Sequence, residues 1–462
     1  MVKSPERPAF NKTPAIYAMA VTLVLTRDWL AVLSVLVLMV LWHVLKPVEG
    51  PPVIPLLVAY HWVQGTIGVF HHDLTGRDLP AIVQSDYRRM VVLALIATAV
   101  LGAGAYLSLR SYRPPALDSK ATSRITANSL FVIYFGLILA NGTLNLLAWQ
   151  SARFTQIFIT MAYGKILLLF LVFRRFVTPD FQAVPFFGIL LFEIVLGLTG
   201  FFADFKFSML VGGLAIIELL LLNRRNVGIW LTFIVVTAFC GTVTLIWTEV
   251  KFDYRAQMVA GTLATKASRL QALEGMVGAW LSDPATHLPT SLDALIERLW
   301  QVYFPALALD RVPDLIPHTD GAILKRTIRH ILTPRIFFPN KPDLPNESDN
   351  VRLYAGVEVA GTESGTSHAF SYIAESYVDF GIPGMFVPIF IWGYLAGFVI
   401  CWVAKRIRNE EIRIATMCAM AVFGFNIFER SWAKLAGQGL TFFILIGALA
   451  IFADRQLRSK RA

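Results

Sequence analysis

Apolar runs of about 17 to 22 residues, separated by short charged loops, dominate this chain. Each run has the length a helix needs to cross about 30 Å of hydrocarbon at 1.5 Å per residue. They fall near residues 14–27, 29–45, 53–70, 90–109, 127–148, 155–173, 183–200, 206–222, 228–248, 383–404, 411–428 and 437–453. The first two are short, so the pattern predicts about 12 membrane helices, or 11 if those two are one. A transmembrane barrel would instead show shorter segments of strict alternation. The expected fold class is all-α, a polytopic membrane helical bundle.

One long polar segment interrupts the pattern and divides the chain into three regions: a bundle at 1–248, an outer segment at 249–382, and closing helices with a tail at 383–462. Within the segment, Met258, Leu263, Leu270, Leu273, Val277 and Leu281 recur at helical spacing and predict an amphipathic helix over 255–281. Asp283-Pro284 stops it, and further helices are expected at 291–303 and 320–332. The last of these carries Lys325, Arg326, Arg329 and His330, and Pro334 ends it.

Composition agrees with the pattern. Hydrophobic residues make up 56% of the 462 positions and charged ones 16%, a balance beyond an ordinary soluble domain. The net charge of +10 needs no nucleic acid, because basic residues anchor the cytoplasmic loops of membrane proteins. With both termini inside, the inner segments hold 20 Lys and Arg and the short outer loops hold 8. The inner set includes Lys3, Arg7, Lys120, Arg124, Arg224, Arg225, Lys460 and Arg461; the outer set includes Arg27, Arg88, Arg89, Lys206, Arg430 and Lys434. The long segment then faces outward, which in a bacterium would be the periplasm. Ala18-Met19-Ala20 lies inside the first apolar run, which reads as an uncleaved helix rather than a leader. Cys240, Cys401 and Cys418 all fall in apolar runs, which leaves the outer segment without a disulfide or zinc framework.

Two stretches of the outer segment carry chemistry. At residues 368–380, His368, Tyr372, Glu375 and Asp379 follow helical spacing on one stripe, placing acid, base and phenol groups together. A solvated face of an interfacial helix would look the same. The second stretch, "RIFFPNKPDL" at 335–344, sets Arg335 and Lys341 around Phe337 and Phe338. Pro334, Pro339, Pro342 and Pro345 restrict it to extended or turn shapes, so its cations are presented to an anionic headgroup with little freedom left to lose. Arg offers a planar fork to phosphate oxygens and Lys a point charge. A structural loop with a capping Arg is the plain alternative.

"TPRIFFPNKP", followed some thirty residues later by "AESYVDFGIPG", resembles bacterial O-antigen and exopolysaccharide polymerases of the Wzy type. Pro334, Arg335, Phe337, Phe338, Pro339, Lys341 and Pro342 carry the first part of the likeness, and Glu375, Tyr377, Phe380, Gly381 and Gly384 the second. "TGFFADFKFSML", with Phe205 and Lys206, is similar to an earlier segment of such proteins. The resemblance implies transfer of a growing glycan from undecaprenyl pyrophosphate to a sugar hydroxyl of another lipid-linked repeat unit, with no cofactor. Arg335 and Lys341, supported by Arg329 and Arg430, would bind the pyrophosphate. Glu375 would act as base, with Asp379 and His368 behind it and Asp349 as a weaker alternative. Membrane lipid, a flippase and a chain-length regulator would be its partners.

Other polar residues keep rival readings open. Lys165, Glu193 and Glu218 lie within apolar runs, where charges mark pairs or ion paths, and they suit a transporter or flippase of lipid-linked sugars. A ligase moving a finished glycan from the same carrier would use the same cations and base. His71-His72-Asp73, with His61 nearby, weakly suggests a metal. The chain has no phosphate-cradling Gly-rich loop, His-Glu-x-x-His, Cys-x-x-Cys or Gly-x-Ser-x-Gly.

Overall fold

The computed structural model describes residues 12–47, 49–115, 126–151, 153–177, 181–199, 205–222, 226–263, 265–361, 367–425 and 428–459. The terminal and loop cations Lys3, Arg7, Lys120, Arg124, Arg224, Arg225, Lys460 and Arg461 fall outside these residues, as do residues 200–204 of the "TGFFADFKFSML" stretch. Among the described residues the fold is helical throughout, with no strand.

The first half runs α1 (Lys12–Thr26), α2 (Trp29–Val44), α3 (Val53–Thr75), α4 (Pro80–Gln84), α5 (Tyr87–Leu109), α6 (Ala127–Gln150), α7 (Thr155–Tyr163), α8 (Lys165–Val177), α9 (Ala183–Leu198), α10 (Phe205–Leu222) and α11 (Val227–Val259). The outer segment follows as α12 (Lys266–Ser282), α13 (Pro284–Leu299), α14 (Tyr303–Arg311), α15 (Ala322–Leu332), α16 (Glu347–Asn350), one π-helical turn (Val351–Ala355) and α17 (Tyr372–Gly384). The chain closes with α18 (Phe386–Ala404), α19 (Glu410–Gly424), a second π-helical turn (Ala433–Gln438) and α20 (Gly439–Ser459).

Each predicted apolar run overlaps a helix among the described residues, but the expected twelve spans are not all long enough. Among the described residues seven helices are long and apolar enough to cross a membrane: Val53–Thr75, Tyr87–Leu109, Asn128–Ala148, Thr155–Val177, Val227–Met258, Phe386–Ala404 and Ala433–Ser459. α1, α2 and α9, with 15, 16 and 16 residues, would cover only about 22–24 Å. α1 and α2 do not merge into one helix. Arg27 sits at φ 55°, Asp28 caps α2 through the Leu30 amide, and Arg88 grips the same carboxylate at 2.7 and 2.9 Å.

Close helix contact is written in glycine. Gly393-Tyr394-Leu395-Ala396-Gly397 is a small-xxx-small stripe on α18 that lets its backbone approach α5. A Cβ on Gly393 would strike the Leu101 carbonyl, and one on Gly104 the Phe390 carbonyl. Charges buried in the bundle are paired. Arg413, 1% exposed, binds Glu49 at 2.8 Å, which also accepts the Tyr112 hydroxyl. Arg174 meets Glu218 at 3.0 Å, and Lys165 meets Glu193 at 2.5 Å.

The outer segment is anchored onto this bundle. α11 has 33 residues, about 50 Å of helix, so its last turns project beyond any hydrocarbon layer and cross the boundary expected at 248. The helix expected over 255–281 is broken after Val259; Gly261 turns at φ 78°, and Thr265 with Ser268 forms a capping box that starts α12. Pro284 does end that helix, and it opens α13 from its first turn. Trp300 packs its indole where a Cβ on Gly68 of α3 would stand, while the Gln301 amide donates to the Gln64 carbonyl at 3.0 Å.

Candidate functional site

The stripe expected from His368 to Asp379 is split by the backbone. Ser371, at φ 82°, caps α17 by accepting from the Ile373 amide, so the helix starts at Tyr372 and His368 lies before it in extended chain. Nor is α17 a solvated interfacial helix: residues 372–379 are all buried. α14 and α15 pack against it.

Asp379, 0% exposed, is committed to its neighbour. Its two oxygens accept from the Ile323 amide at 2.9 Å, the Leu324 amide at 2.7 Å and the Thr319 hydroxyl at 2.5 Å. It therefore caps the amino end of α15 from across the fold. Both oxygens are engaged in holding that helix end.

Glu375, 3% exposed, faces inward as well. One oxygen accepts the Trp432 backbone amide at 2.8 Å and the other the Asn350 side-chain amide at 3.3 Å. Burial pushes its carboxyl up to about 8, against these two hydrogen bonds and helped by the nearby charges of Glu347 and Asp379. Glu347 takes the Ser431 hydroxyl on one oxygen and Lys434 Nζ, at 2.5 Å, on the other. The same strip of irregular backbone is held by Gln64, which accepts the Phe428 amide at 3.0 Å, and by Tyr372, whose amide donates to the Arg430 carbonyl at 2.6 Å. Non-helical backbone between two apolar helices is tolerable only where such partners satisfy it. Glu375 and Glu347 thus shape the 428–434 turn, and that turn presents Glu429 and Arg430.

Beside the turn lies a cleft of about 330 Å³, lined by Lys251, Phe252, Glu297, Arg298, Trp300, Gln301, Tyr303, Phe304, His368 and Glu429, among others. Arg298 forms a two-pronged pair with Glu429 at 2.8 and 3.3 Å. Lys206 at the start of α10 and Arg255 on α11 lie within electrostatic reach of Lys251 and Arg298. Two cations, Lys251 and Arg298, therefore line the cleft, with Lys206 and Arg255 near enough to act on Lys251 and with the repulsion partly relieved by Glu429. Arg430, the next residue, donates to the Gln438 side chain at 3.1 Å, and burial pulls its guanidinium below its ordinary value. Such a concentration of positive charge with apolar walls is suited to a multiply charged anion.

His368 reaches this cleft, edge-on to Phe304. Its Nδ1 lies 3.0 Å from the Ala360 carbonyl. A carbonyl can only accept, so Nδ1 carries the proton and Nε2 of the neutral ring is left as an acceptor. That is the tautomer a general base requires.

The arm stands apart. Arg335 is turned to Asp343, and Lys341 Nζ donates to the His330 carbonyl at 2.8 Å. A groove of about 650 Å³ beside them is lined by Arg326, Arg329, His330, Phe337, Phe338 and Lys341, among others; neither Glu375 nor His368 lines it. The expected constellation is therefore divided: Arg329 and Lys341 at the arm, His368 with the cleft, Glu375 and Asp379 inside. Asp349 closes a capping box with Asn346. His71 and His72 are occupied by Asp293 and Asp78, and no group of three or more His, Cys, Asp or Glu suited to a metal occurs among the described residues. Sequence reading did not single out Lys251, Arg255 or Arg298, whose only local signal is a cation near a helix end.

No curated protein and no solved structure matches the chain. A family model does, over residues 83–429, from α4 through the whole outer segment to Glu429. The chain belongs to the family described as Domain of unknown function (DUF8712).

Proposed function

We propose that this protein is a membrane glycosyltransferase that moves a glycan from a lipid pyrophosphate to a sugar hydroxyl, as repeat-unit polymerases of O-antigen and exopolysaccharide do. In this reading the helices lie in the inner membrane of a bacterium and the segment from the end of α11 to α17 faces the periplasm. The observation that carries it is the cleft: Lys251 and Arg298 line it together with His368, and Lys206 and Arg255 add their charge from nearby. Lys206, Lys251, Arg255 and Arg298 would hold the pyrophosphate, and Phe252 would meet the first part of its lipid tail. The acceptor oxygen attacks the anomeric carbon as His368 Nε2 takes its proton. The bond from that carbon to the phosphate oxygen breaks, and the departing charge stays with the pyrophosphate among the cations. The activated donor supplies the driving force, so the reading calls for no cofactor.

A ligase would differ only in its acceptor. The carrier reading drew on Lys165, Glu193 and Glu218, all of which are engaged in ion pairs. The test is the glycan length profile on gels from cells carrying the intact protein, Lys251→Gln or His368→Ala at matched membrane levels. Loss of long chains with single lipid-linked units accumulating outside supports the proposal. Unchanged chain lengths refute it, and units trapped inside favour the carrier.

A further inference from the structure

The arm has its own reason to be positive and aromatic. α15 rests on the second π-helical turn, where Ile331 would meet a Cβ on Gly437 at 3.6 Å. That turn opens the candidate span Ala433–Ser459, so the arm sits at the level where this helix would leave the bilayer. There it shows apolar side chains to the outside: Phe337 is 76% exposed, Leu332 71% and Phe338 51%. The groove beside them gathers Arg326, Arg329 and Lys341 against a single acid, Asp343. Arg326 and Arg329 have no ion-pair partner among the described residues, and Asp343 is already held by Arg335. Crowding is felt by the cations themselves, since burial and the nearby Arg335 both lower the Lys341 ammonium below its ordinary value. Aromatic rings flanking a cationic groove at the edge of a bilayer match an amphiphile with a phosphate head.

We infer that the arm groove clamps the phosphate headgroup of an anionic bilayer lipid, with Arg326, Arg329 and Lys341 on the phosphate and Phe337 and Phe338 in the interface. This rests on the membrane placement proposed above, not on the transferase chemistry. The clamp would fix the outer segment against the membrane surface while the cleft stays open for another ligand.

The test exposes the full-length protein in neutral detergent to equal amounts of phosphatidylglycerol and phosphatidylcholine and counts retained lipids by native mass spectrometry. The intact protein is expected to retain phosphatidylglycerol preferentially. Each basic residue near an anionic surface contributes roughly fivefold, so Arg329→Gln with Lys341→Gln should lower that preference by roughly twentyfold. Asn340→Glu, at an exposed position on the groove, brings a negative charge to it and should weaken the preference too. Phe337→Ser with Phe338→Ser should reduce retention of both lipids. Equal retention of the two lipids by the intact protein overturns the inference. So does a preference that survives all arm variants but falls with Lys251→Gln, or lipid displaced by inorganic phosphate at equal concentration, which would mark a site for free phosphate. No glycan enters this measurement, so failure of the transferase proposal would leave its result unchanged.

Discussion

Replacing Glu375 with Gln separates an acid that shapes the turn from a base that takes a proton. In the folded chain its carboxyl keeps its proton up to about pH 8, against an ordinary value of 4.5. Below pH 4.5 both folded and unfolded chains hold that proton and the group is without effect on stability. As pH rises from 4.5 to 8 the unfolded chain releases it first, the folded chain binds more protons, and stability falls. One unit corresponds to about 1.4 kcal/mol, so the 2.5 units from 4.5 to pH 7 remove about 3 kcal/mol, and the loss levels off at about 5 kcal/mol above pH 8. Gln cannot ionise, yet its oxygen can still accept the Trp432 amide. Thermal unfolding of the two proteins in the same detergent should therefore diverge between pH 5 and 8, with Gln gaining steadily on the wild type. Parallel curves across that window would refute a buried neutral carboxyl. In cells, Gln should keep long glycans and Ala should lose them, because only Ala abandons Trp432. Loss of long glycans in a stable Gln variant would return Glu375 to the role of base.

Asp379→Ala strips two amides and a hydroxyl of their acceptor, and should cost about 3 kcal/mol; hydrogen exchange of α15 amides should speed up while α5 stays protected, and Asn should restore part of the protection. Gly393→Ala places a Cβ against the Leu101 carbonyl, so it should cost about 1–3 kcal/mol by forcing α5 and α18 apart, read as a lower unfolding temperature. Arg413→Leu leaves the half-buried Glu49 with only the Tyr112 hydroxyl and should cost about 3 kcal/mol, and adding Glu49→Leu should recover much of that; no recovery in the double variant would show that the pair is not the source of the loss.

The apolar helices were legible because hydrophobic length is a local property, whereas α4, α14 and α16 carry no such run and the helix expected over 255–281 is divided between α11 and α12. What the helices make together was not legible. His368 and Glu375 share a helical spacing, yet Ser371 breaks the helix between them, and the break is stabilised by a hydrogen bond from its hydroxyl to the Phe428 carbonyl, 57 positions away. Asp379 looked available because the amides it caps belong to α15, on the far side of a turn that no periodicity reports. The cleft is the extreme case, since Lys206, Lys251, Arg298 and His368 come from four separate stretches. Each one alone is an ordinary basic residue, and only their placement beside Glu429 makes a site. The same logic gives the buried acids their place in the chemistry. A turn between two apolar helices has backbone groups that neither helix can satisfy, and Glu347, Glu375 and Gln64 satisfy them from elements far apart in sequence. Glu347, Glu375 and Gln64 are thus spent on that turn, while the side chains that line the cleft lie one layer outward.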